Sequence, residues 1–314
     1  MMPENDICTA SSPGKFILLG EHSVVYGKPA VALAINRRFE CSVERSPVDM
    51  LNGLPLDTDI HPHIGYILRT NGMEGVSIRT DSGLPSSSGL GSSAALSSSL
   101  SAAVKKLKGE SIDKKRIADE AFNAEYNAQG RASPLDASCC TFGKGIAINC
   151  PDSYGKEIWS VSKGENTWKV SEVKVPKMTF VVGYTGVKAR TGPLVEKVRK
   201  YKEHNRFAAD IVDEIGNITL DGVDAMAHGN VEELGDIMTR DHKLLSILGV
   251  SCNELNKLVN ASLRYSYGAK LTGSGGGGSM VALTDEPEKV CDTILLHGGL
   301  PFIVETDVPG VRIE

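Results

Sequence analysis

The chain has 314 residues, of which 41% are hydrophobic and 23% charged, with a formal net charge of −5. This length exceeds the usual size of one hydrophobic core, so we expect two lobes. The mildly acidic charge gives no general attraction to a phosphate backbone, which argues against a nucleic-acid-binding protein.

Cysteine content and the N-terminal sequence favour a cytoplasmic protein. Seven cysteines are present, an odd number, and none forms a C-x-x-C pair, so neither a disulfide framework nor a zinc site is expected. Residues 1–20 lack a signal-peptide pattern. The longest uncharged stretch, residues 84–104, is too rich in serine to predict a membrane span.

The first half of the chain predicts a mixture of strands and helices. Apolar runs and two-residue alternation predict strands at residues 15–19, 30–35, 38–45, 75–80 and 143–150. Residues 49–62 are expected to form a polar loop. Helices are predicted at residues 92–108 and 113–129, and a short one has Ser133 as its N-cap, Pro134 as its first residue and its end at residue 140.

The second half predicts more helix. Its predicted elements are a hairpin or edge strands at residues 159–175, a strand at 178–183, about four helices within 192–265, a strand at 280–283, a helix at 287–296 and closing strands near 302–313. No internal repeat or low-complexity linker separates the two halves. The expected domain boundary lies near residue 180.

The strongest local signal is a loop of serine and glycine that opens into a predicted helix, PSSSGLGSSAA at residues 85–95. The N–H groups and dipole of a helix start suit a phosphate, and glycine lets the backbone approach it. A serine hydroxyl can also ligate a phosphate-bound Mg²⁺. The loop matches neither G-x-x-x-x-G-K-S/T nor G-x-G-x-x-G, and a flexible loop with a serine cap is the alternative.

A second glycine run is KLTGSGGGGS at residues 270–279. Four consecutive glycines cost conformational entropy, which is justified where the backbone must touch a ligand. A tight turn or a hinge between two strands is the alternative. Two such loops in one chain favour a shared phosphate ligand.

Polar residues flank a buried strand near the start of the chain, PGKFILLGEHSVVYG at residues 13–27. Lys15 lies where this strand begins, and Glu21 and His22 follow its end. Polar residues at strand ends often line sites. Solvent-facing loop charge is the alternative for the Glu-His pair.

Two acids lie on either side of a predicted helix–helix turn. Glu125 is near the end of one helix, and Asp136 is at the third position of the next. The two could converge so that one holds Mg²⁺ and the other meets a hydroxyl. Alternatively, Asp136 complements a helix N-terminus and Glu125 lies on a solvated face.

The three elements PGKFILLGEHSVVYG, PSSSGLGSSAA and KLTGSGGGG, in this order, resemble the three signature motifs of the GHMP kinases, from about residue 8 to the C-terminus. The resemblance implies an α+β protein with two lobes and ATP between them. The N-terminal lobe would resemble ribosomal S5 domain 2, and the C-terminal lobe would be ferredoxin-like. Residues 1–180 would carry the ATP loop and the catalytic acids, and residues 181–314 would form the second domain.

The first motif is similar to that of the family members that phosphorylate mevalonate. Galactokinases carry a Thr-Asp pair after G-E-H, where this chain has Ser23 and Val24, and homoserine kinases generally lack the aspartate that matches Asp136. The resemblance thus implies ATP-dependent phosphorylation of the primary hydroxyl of (R)-mevalonate, in isoprenoid biosynthesis. The S-S-S-G-L-G loop and the short chain resemble archaeal and bacterial members.

Two alternatives stay open at this point. One is another GHMP kinase, acting on phosphomevalonate or a sugar, which the Glu21-His22 pair together with Asp136 argues against. The other is a non-catalytic ligand sensor of the same fold. The presence of Lys15, Glu125 and Asp136 together argues against a loss of chemistry.

The resemblance also implies a role for each matched residue. Asp136 would take or orient the proton of the substrate hydroxyl, with Lys15 beside it, and Ser93 and Glu125 would hold Mg²⁺. The residues that would bind the nucleotide are Pro85, Ser86, Ser87, Ser88, Gly89, Leu90, Gly91, Ser92, Ser93, Gly275 and Gly276.

Mevalonate would meet the first motif. Glu21 and His22 would lie on its side of the cleft, and the Arg131 guanidinium could pair with its carboxylate or form a structural salt bridge instead. A homodimer is expected from the family, with neither a nucleic-acid nor a membrane partner.

Overall fold

The structure, a computed structural model, describes residues 7–85, 88–130, 132–189 and 191–314. In chain order the strands are β1 (Cys8–Leu19), β2 (Ala30–Arg45), β3 (Met50–Leu51), β4 (Leu54–Pro55), β5 (Val76–Ser82), β6 (Gly145–Ile148), β7 (Lys156–Lys163), β8 (Asn166–Val173), β9 (Thr179–Tyr184), β10 (Gly268–Thr272), β11 (Ser279–Leu283), β12 (Leu300–Glu305) and β13 (Arg312–Ile313). The α-helices are α1 (Pro62–Thr70), α2 (Ser92–Leu107), α3 (Lys114–Gln129), α4 (Leu135–Phe142), α5 (Thr191–His204), α6 (Arg206–His228), α7 (Val231–Ile247), α8 (Asn253–Ser262) and α9 (Pro287–Leu296).

The long strand β2 organises the first sheet. It pairs antiparallel with β1 on one side, and with β5 and β6 along the other. The order is β4-β3-β5-β2-β6-β8-β7, and β13 pairs with β1. The small residues of α2, among them the buried Ala95, Ser98 and Ala102, let this helix pack closely against β1 and β2. The start of α2 is thereby held beside β1.

The second sheet has the order β10-β11-β9-β12, and each pairing within it is antiparallel. The connections run from β9 through helices to β10, directly to β11, and through α9 to β12. This is the β-α-β-β-α-β arrangement of a ferredoxin-like sheet. The α+β class and the ferredoxin-like C-terminal lobe are confirmed.

Most predicted elements are present, with three differences. The strands predicted separately at residues 30–35 and 38–45 are one continuous strand, β2. The prediction of a loop at residues 49–62 was wrong, because this segment contains the β3–β4 hairpin and leads directly into α1. That helix has a recognisable signal, a proline in its first turn followed by apolar residues at helical spacing, of which Ile64, Ile67 and Leu68 are buried.

The third difference concerns the start of α4. Pro134, not Ser133, is at the N-cap position, and within residues 132–189 no side chain caps the helix. The helix starts one residue later than predicted, so Asp136 is its second residue. Its carboxylate is therefore in the first turn, at the positive end of the helix dipole.

The chain leaves the first sheet after β8 and enters the second at β9, and β13 returns to the first. The division into residues 1–180 and 181–314 stays a prediction. Among the helices of the described residues, none has the length and apolar character needed to cross a membrane.

Candidate active site

A cleft of about 460 Å³ is lined by residues of both lobes. The predicted site residues that line it are Lys15, Glu21, His22, Ser88, Gly89, Gly91, Ser92, Ser93, Glu125 and Asp136. Pro85, Leu90, Gly275 and Gly276 were also predicted, but they do not line the cleft. Ser86, Ser87 and Arg131 lie outside the described residues. Sequence reasoning missed Thr191 and Thr272, which line the cleft as well.

A larger open depression of about 690 Å³ lies elsewhere on the first lobe, beside α3 and β7. Its walls carry charges of both signs, including Arg116, Asp119 and Glu157, and it contains none of the predicted site residues. We therefore place the chemistry in the smaller cleft, where the signature motifs meet.

Lys15 and Asp136 form an ion pair in this cleft. Lys15 Nζ is 2.8 Å from Asp136 Oδ2, and the lysine side chain is only 3% exposed while the aspartate is 41% exposed. Irregularities in the β1–β2 register flank Lys15 on both sides, and such bulges re-aim side chains. The Asp136 carboxylate therefore faces the solvent, and the Lys15 ammonium lies behind it.

Lys15 stays protonated in this position. Burial by itself lowers the pKa of Lys15, but the charge of Asp136 and the hydrogen bond to it outweigh the desolvation, so the pKa is raised above its ordinary value. Lys15 also donates to the carbonyl of Gly89 at 3.4 Å. It therefore acts as a fixed positive charge and not as a base.

The serine- and glycine-rich loop meets the cleft at the N-terminus of α2. Gly89 and Gly91 both have positive φ, and Gly91 is the N-cap residue. The first turn of α2 contains no acidic side chain, so the helix dipole is not neutralised by its own sequence. Ser92 and Ser93 in this turn line the cleft, which suits an anionic ligand.

Glu125 is oriented by a residue that the sequence analysis missed. His63 on α1 lies with Nε2 2.8 Å from Glu125 Oε2, and Gln129 donates to the other carboxylate oxygen. Both His63 and Glu125 are half-buried. The carboxylate is thus held by two contacts while one face of it lines the cleft.

His22 lies in a turn with φ of 60°, which is unusual for a residue with a side chain. Its Nε2 is 2.9 Å from the carbonyl oxygen of Ser274, an acceptor, so this nitrogen carries the hydrogen. Burial lowers the pKa of His22, which keeps the ring neutral. Nδ1 is then an acceptor, and it is buried with no hydrogen-bond partner among the described residues.

The glycine run after β10 serves two purposes. Gly273 and Gly278 line the cleft. Gly275 faces protein instead, because a Cβ there would approach the Val250 carbonyl oxygen to 2.0 Å. Ser279 follows the run and donates to the Ser88 carbonyl at 2.8 Å, which ties the two glycine-rich loops together.

The chain matches the family models of the GHMP kinases N terminal domain at residues 60–144 and of the GHMP kinases C terminal domain at residues 223–294. Together with the full-length relatives below, these matches show that the chain belongs to the GHMP kinase family, whose kinases use ATP.

Within that family the chain is similar to the mevalonate kinases. The mevalonate kinase of Pyrococcus furiosus is 32% identical over 97% of this chain and 98% of its own length. A crystal structure of the Methanococcus jannaschii mevalonate kinase matches with a TM-score of 0.80 and 26% identity, covering 98% of this chain and 100% of that one. The mevalonate kinase of L. major, in complex with R-mevalonate, matches with a TM-score of 0.80 at 23% identity, covering 98% and 97%.

The close approach of Gly91 to Lys15 gives a test of the site. In Gly91→Ala, the new Cβ would lie 2.9 Å from Lys15 Cγ and push the buried ammonium out of place. We expect kinase turnover to fall by about 100-fold, the cost of a misplaced catalytic group. ADP release measures the rate, and a melting curve checks that the variant is folded.

Gly109→Ala is the matched control. Gly109 also has a positive φ, 72°, but a Cβ there would meet no atom of the described residues within 4 Å. Both variants carry about 1–2 kcal/mol of backbone strain, and only the first disturbs Lys15. Equal turnover in the two variants would contradict a catalytic role for Lys15.

Proposed function

We propose that the protein is a mevalonate kinase, which transfers the γ-phosphoryl group of ATP to the primary hydroxyl of (R)-mevalonate and yields 5-phosphomevalonate. The observation that carries this proposal is the Lys15–Asp136 ion pair in the same cleft as the N-terminus of α2. A fixed cation, a carboxylate and a phosphate-binding helix start are the groups that phosphoryl transfer to an alcohol needs.

Asp136 is the group that accepts the proton of the substrate hydroxyl. Its side chain is the exposed member of the pair, so it can reach a ligand in the cleft. Lys15 lies behind it and stabilises the negative charge that develops on the hydroxyl oxygen. Phosphoryl transfer asks for little covalent chemistry from the protein beyond this positioning.

The triphosphate of ATP binds at the start of α2. The backbone N–H groups of its first turn and the hydroxyls of Ser92 and Ser93 provide the donors. The Ser88 hydroxyl instead donates to the Pro85 carbonyl at 2.7 Å. Gly89 and Gly91 allow the close approach of the phosphates. Gly273 and Gly278 face the same space from the second lobe.

Ser93 and Glu125 are the residues that would hold Mg²⁺. Both supply oxygen ligands to one cleft, and in the described ranges no cluster of three or more His, Cys, Asp or Glu residues could form an all-protein metal site. This fits Mg²⁺, which usually binds one or two protein oxygens together with phosphates and waters. When bound, Mg²⁺ neutralises phosphate charge.

Mevalonate binds on the side of the first motif. His22 lines this end of the cleft, and burial keeps its ring neutral by lowering its pKa. Glu21 lines the same end, although one of its oxygens is already bound by Lys270. The pairing of Arg131 with the substrate carboxylate, the cytoplasmic location and the homodimer expected from the family stay predictions.

An alcohol panel tests the function. We expect ATP-dependent turnover with (R)-mevalonate, and no turnover with phosphomevalonate, galactose or homoserine, because the full-length relatives are mevalonate kinases. ADP release measures turnover, and ³¹P NMR identifies the phosphorylated product. Turnover of phosphomevalonate or galactose alone would assign a different GHMP kinase activity. ATP binding without turnover of any alcohol would indicate a ligand sensor.

The role of Asp136 is tested by Asp136→Asn, which keeps the shape of the side chain and removes the base. We expect kcat to fall by about 10²–10⁴-fold, the usual share of a general base. ATP binding, measured by calorimetry, should be unchanged. Asp81→Asn on the exposed end of β5 is the control and should keep full activity. A kcat near that of the parent in Asp136→Asn would refute the assignment.

The metal role is tested by Ser93→Ala and Glu125→Gln. Each should raise the Mg²⁺ concentration that gives half-maximal turnover at fixed ATP by at least about ten-fold, because Ser93→Ala removes an oxygen ligand and Glu125→Gln removes the negative charge of a ligand. Mn²⁺ binding with a non-hydrolysable ATP analogue, followed by electron paramagnetic resonance, reports the same loss without turnover. Exposed Glu74→Gln is the control. An unchanged metal titration in both site variants would count against these ligands.

A further inference from the structure

Three charged side chains form a buried cluster behind the substrate end of the cleft. Glu21 comes from the turn after β1, Asp241 from α7 and Lys270 from β10, and their side chains are 1%, 0% and 0% exposed. The cluster joins the first motif to the strand that leads into the third. Charges buried this deeply need partners for each other and for their remaining hydrogen-bonding atoms.

Lys270 is the centre of the cluster. Its ammonium donates to Glu21 Oε1 and to the Leu271 carbonyl, the latter at 2.8 Å, and lies 3.2 Å from Asp241 Oδ2. Both oxygens of Asp241 and Oε2 of Glu21 are nevertheless buried, with no hydrogen-bond partner in the part of the chain that the structure describes. These are acceptor atoms that need a donor.

The charge count points to the missing donor. Two ionised carboxylates and one ammonium leave a net negative charge out of contact with water, which is costly. One added proton makes the cluster neutral and turns one carboxylate into the donor that the other lacks. Burial raises the pKa of Asp241 to about 8, with Lys270 opposing the rise and the Glu21 charge adding to it.

The other titratable groups near the cluster do not supply this proton. The pKa of His242 is lowered to about 4 by burial and by the charge of Lys270, and its Nδ1 accepts from the Leu271 N–H. His22 is neutral and directs its one N–H to Ser274.

We propose that Asp241 is a positioning residue that keeps its proton in the folded enzyme and donates it in a hydrogen bond to Glu21. The proton fixes the Glu21 carboxylate against Lys270, and with it the strained turn that presents His22 to the substrate. Asp241 itself contacts no substrate, since it is fully buried. The consequence for substrate binding rests on the proposed function, whereas the protonation does not.

The turn at His22 needs such support. Its positive φ is unfavourable for a residue with a side chain, and such strain persists only where the surrounding structure fixes it. The His22–Ser274 hydrogen bond and the Glu21–Lys270 pair are successive links between the same two segments. Loss of the second link would leave the first to hold the ring alone.

The protonation is tested by Asp241→Asn, which resembles the protonated acid at every pH. Between pH 4, the ordinary pKa of aspartate, and about pH 8 the folded parent holds a proton that the unfolded chain has lost. Stability of the parent therefore falls as pH rises through this window and levels off above pH 8. Melting temperatures of parent and variant should converge near pH 5 and diverge steadily up to pH 8.

The positioning role is tested by kinetics of the same variant beside Asp241→Leu. Asp241→Asn can still donate to Glu21, so its KM for mevalonate should stay within about two-fold of that of the parent at pH 7 and should not rise above pH 8. The KM of the parent should rise above pH 8. Asp241→Leu leaves Glu21 without its donor and should raise KM by about ten-fold at all pH values, with a smaller effect on kcat.

Asp236→Asn, an exposed aspartate on the same helix, is the control and should follow the parent in both measurements. Parallel melting profiles of Asp241→Asn and the parent from pH 5 to 9 would overturn the protonation. A KM in Asp241→Asn as high as in Asp241→Leu would overturn the positioning role, because the charge would then be what matters. Diverging melting profiles in a protein that phosphorylates no alcohol would refute the proposed function and leave the protonation standing.

Discussion

The site depends on one electrostatic constraint, the burial of the Lys15 ammonium. A cation that is 3% exposed is stable only beside an anion, and Asp136 is that anion. Because Lys15 belongs to β1 and Asp136 to the first turn of α4, their pairing fixes the helix relative to the sheet. The backbone N–H of Lys15 also donates to the Leu90 carbonyl at 2.9 Å, which places the loop before α2 against the same strand. One residue thus sets the relative positions of the base, the cation and the phosphate-binding helix.

A second set of contacts joins the two lobes across the substrate end. Ile17 on β1 exchanges two hydrogen bonds with the hydroxyl of Thr272 at the end of β10, at 3.0 and 2.9 Å. The His22–Ser274 hydrogen bond joins the same two segments a few residues further along. The buried Glu21–Lys270 pair behind it also links these segments. Since β1 carries Lys15 as well, the strand couples the reacting groups to the substrate end without an intervening flexible element.

The sequence predicted the convergence of distant motifs better than their detailed contacts. Lys15, Ser93, Glu125 and Asp136 line one cleft, because the family fold that the three motifs identify also positions the two acids outside them. The roles assigned to these residues stay predictions. His63 was missed because no helix was predicted after the loop at residues 49–62, and because a lone histidine has no local sequence pattern that identifies its partner. The pairing of Asp241 with Lys270 could not be predicted either, because a tertiary contact between a helix and a strand has no characteristic spacing in the sequence.

The two glycine-rich loops illustrate why composition alone does not assign a function to each residue. Gly91 has a positive φ and lies where a Cβ would displace Lys15, so its small size serves the cleft. Gly276 donates its N–H to the Val250 carbonyl at 2.8 Å, and a Cβ on it would meet Leu194. Glycine there permits a tight turn against neighbouring segments, and of the five glycines in the run only Gly273 and Gly278 line the cleft. The shape of the turn therefore explains most of the entropy cost of four consecutive glycines. Close approach of a ligand explains the glycine only at Gly273 and Gly278.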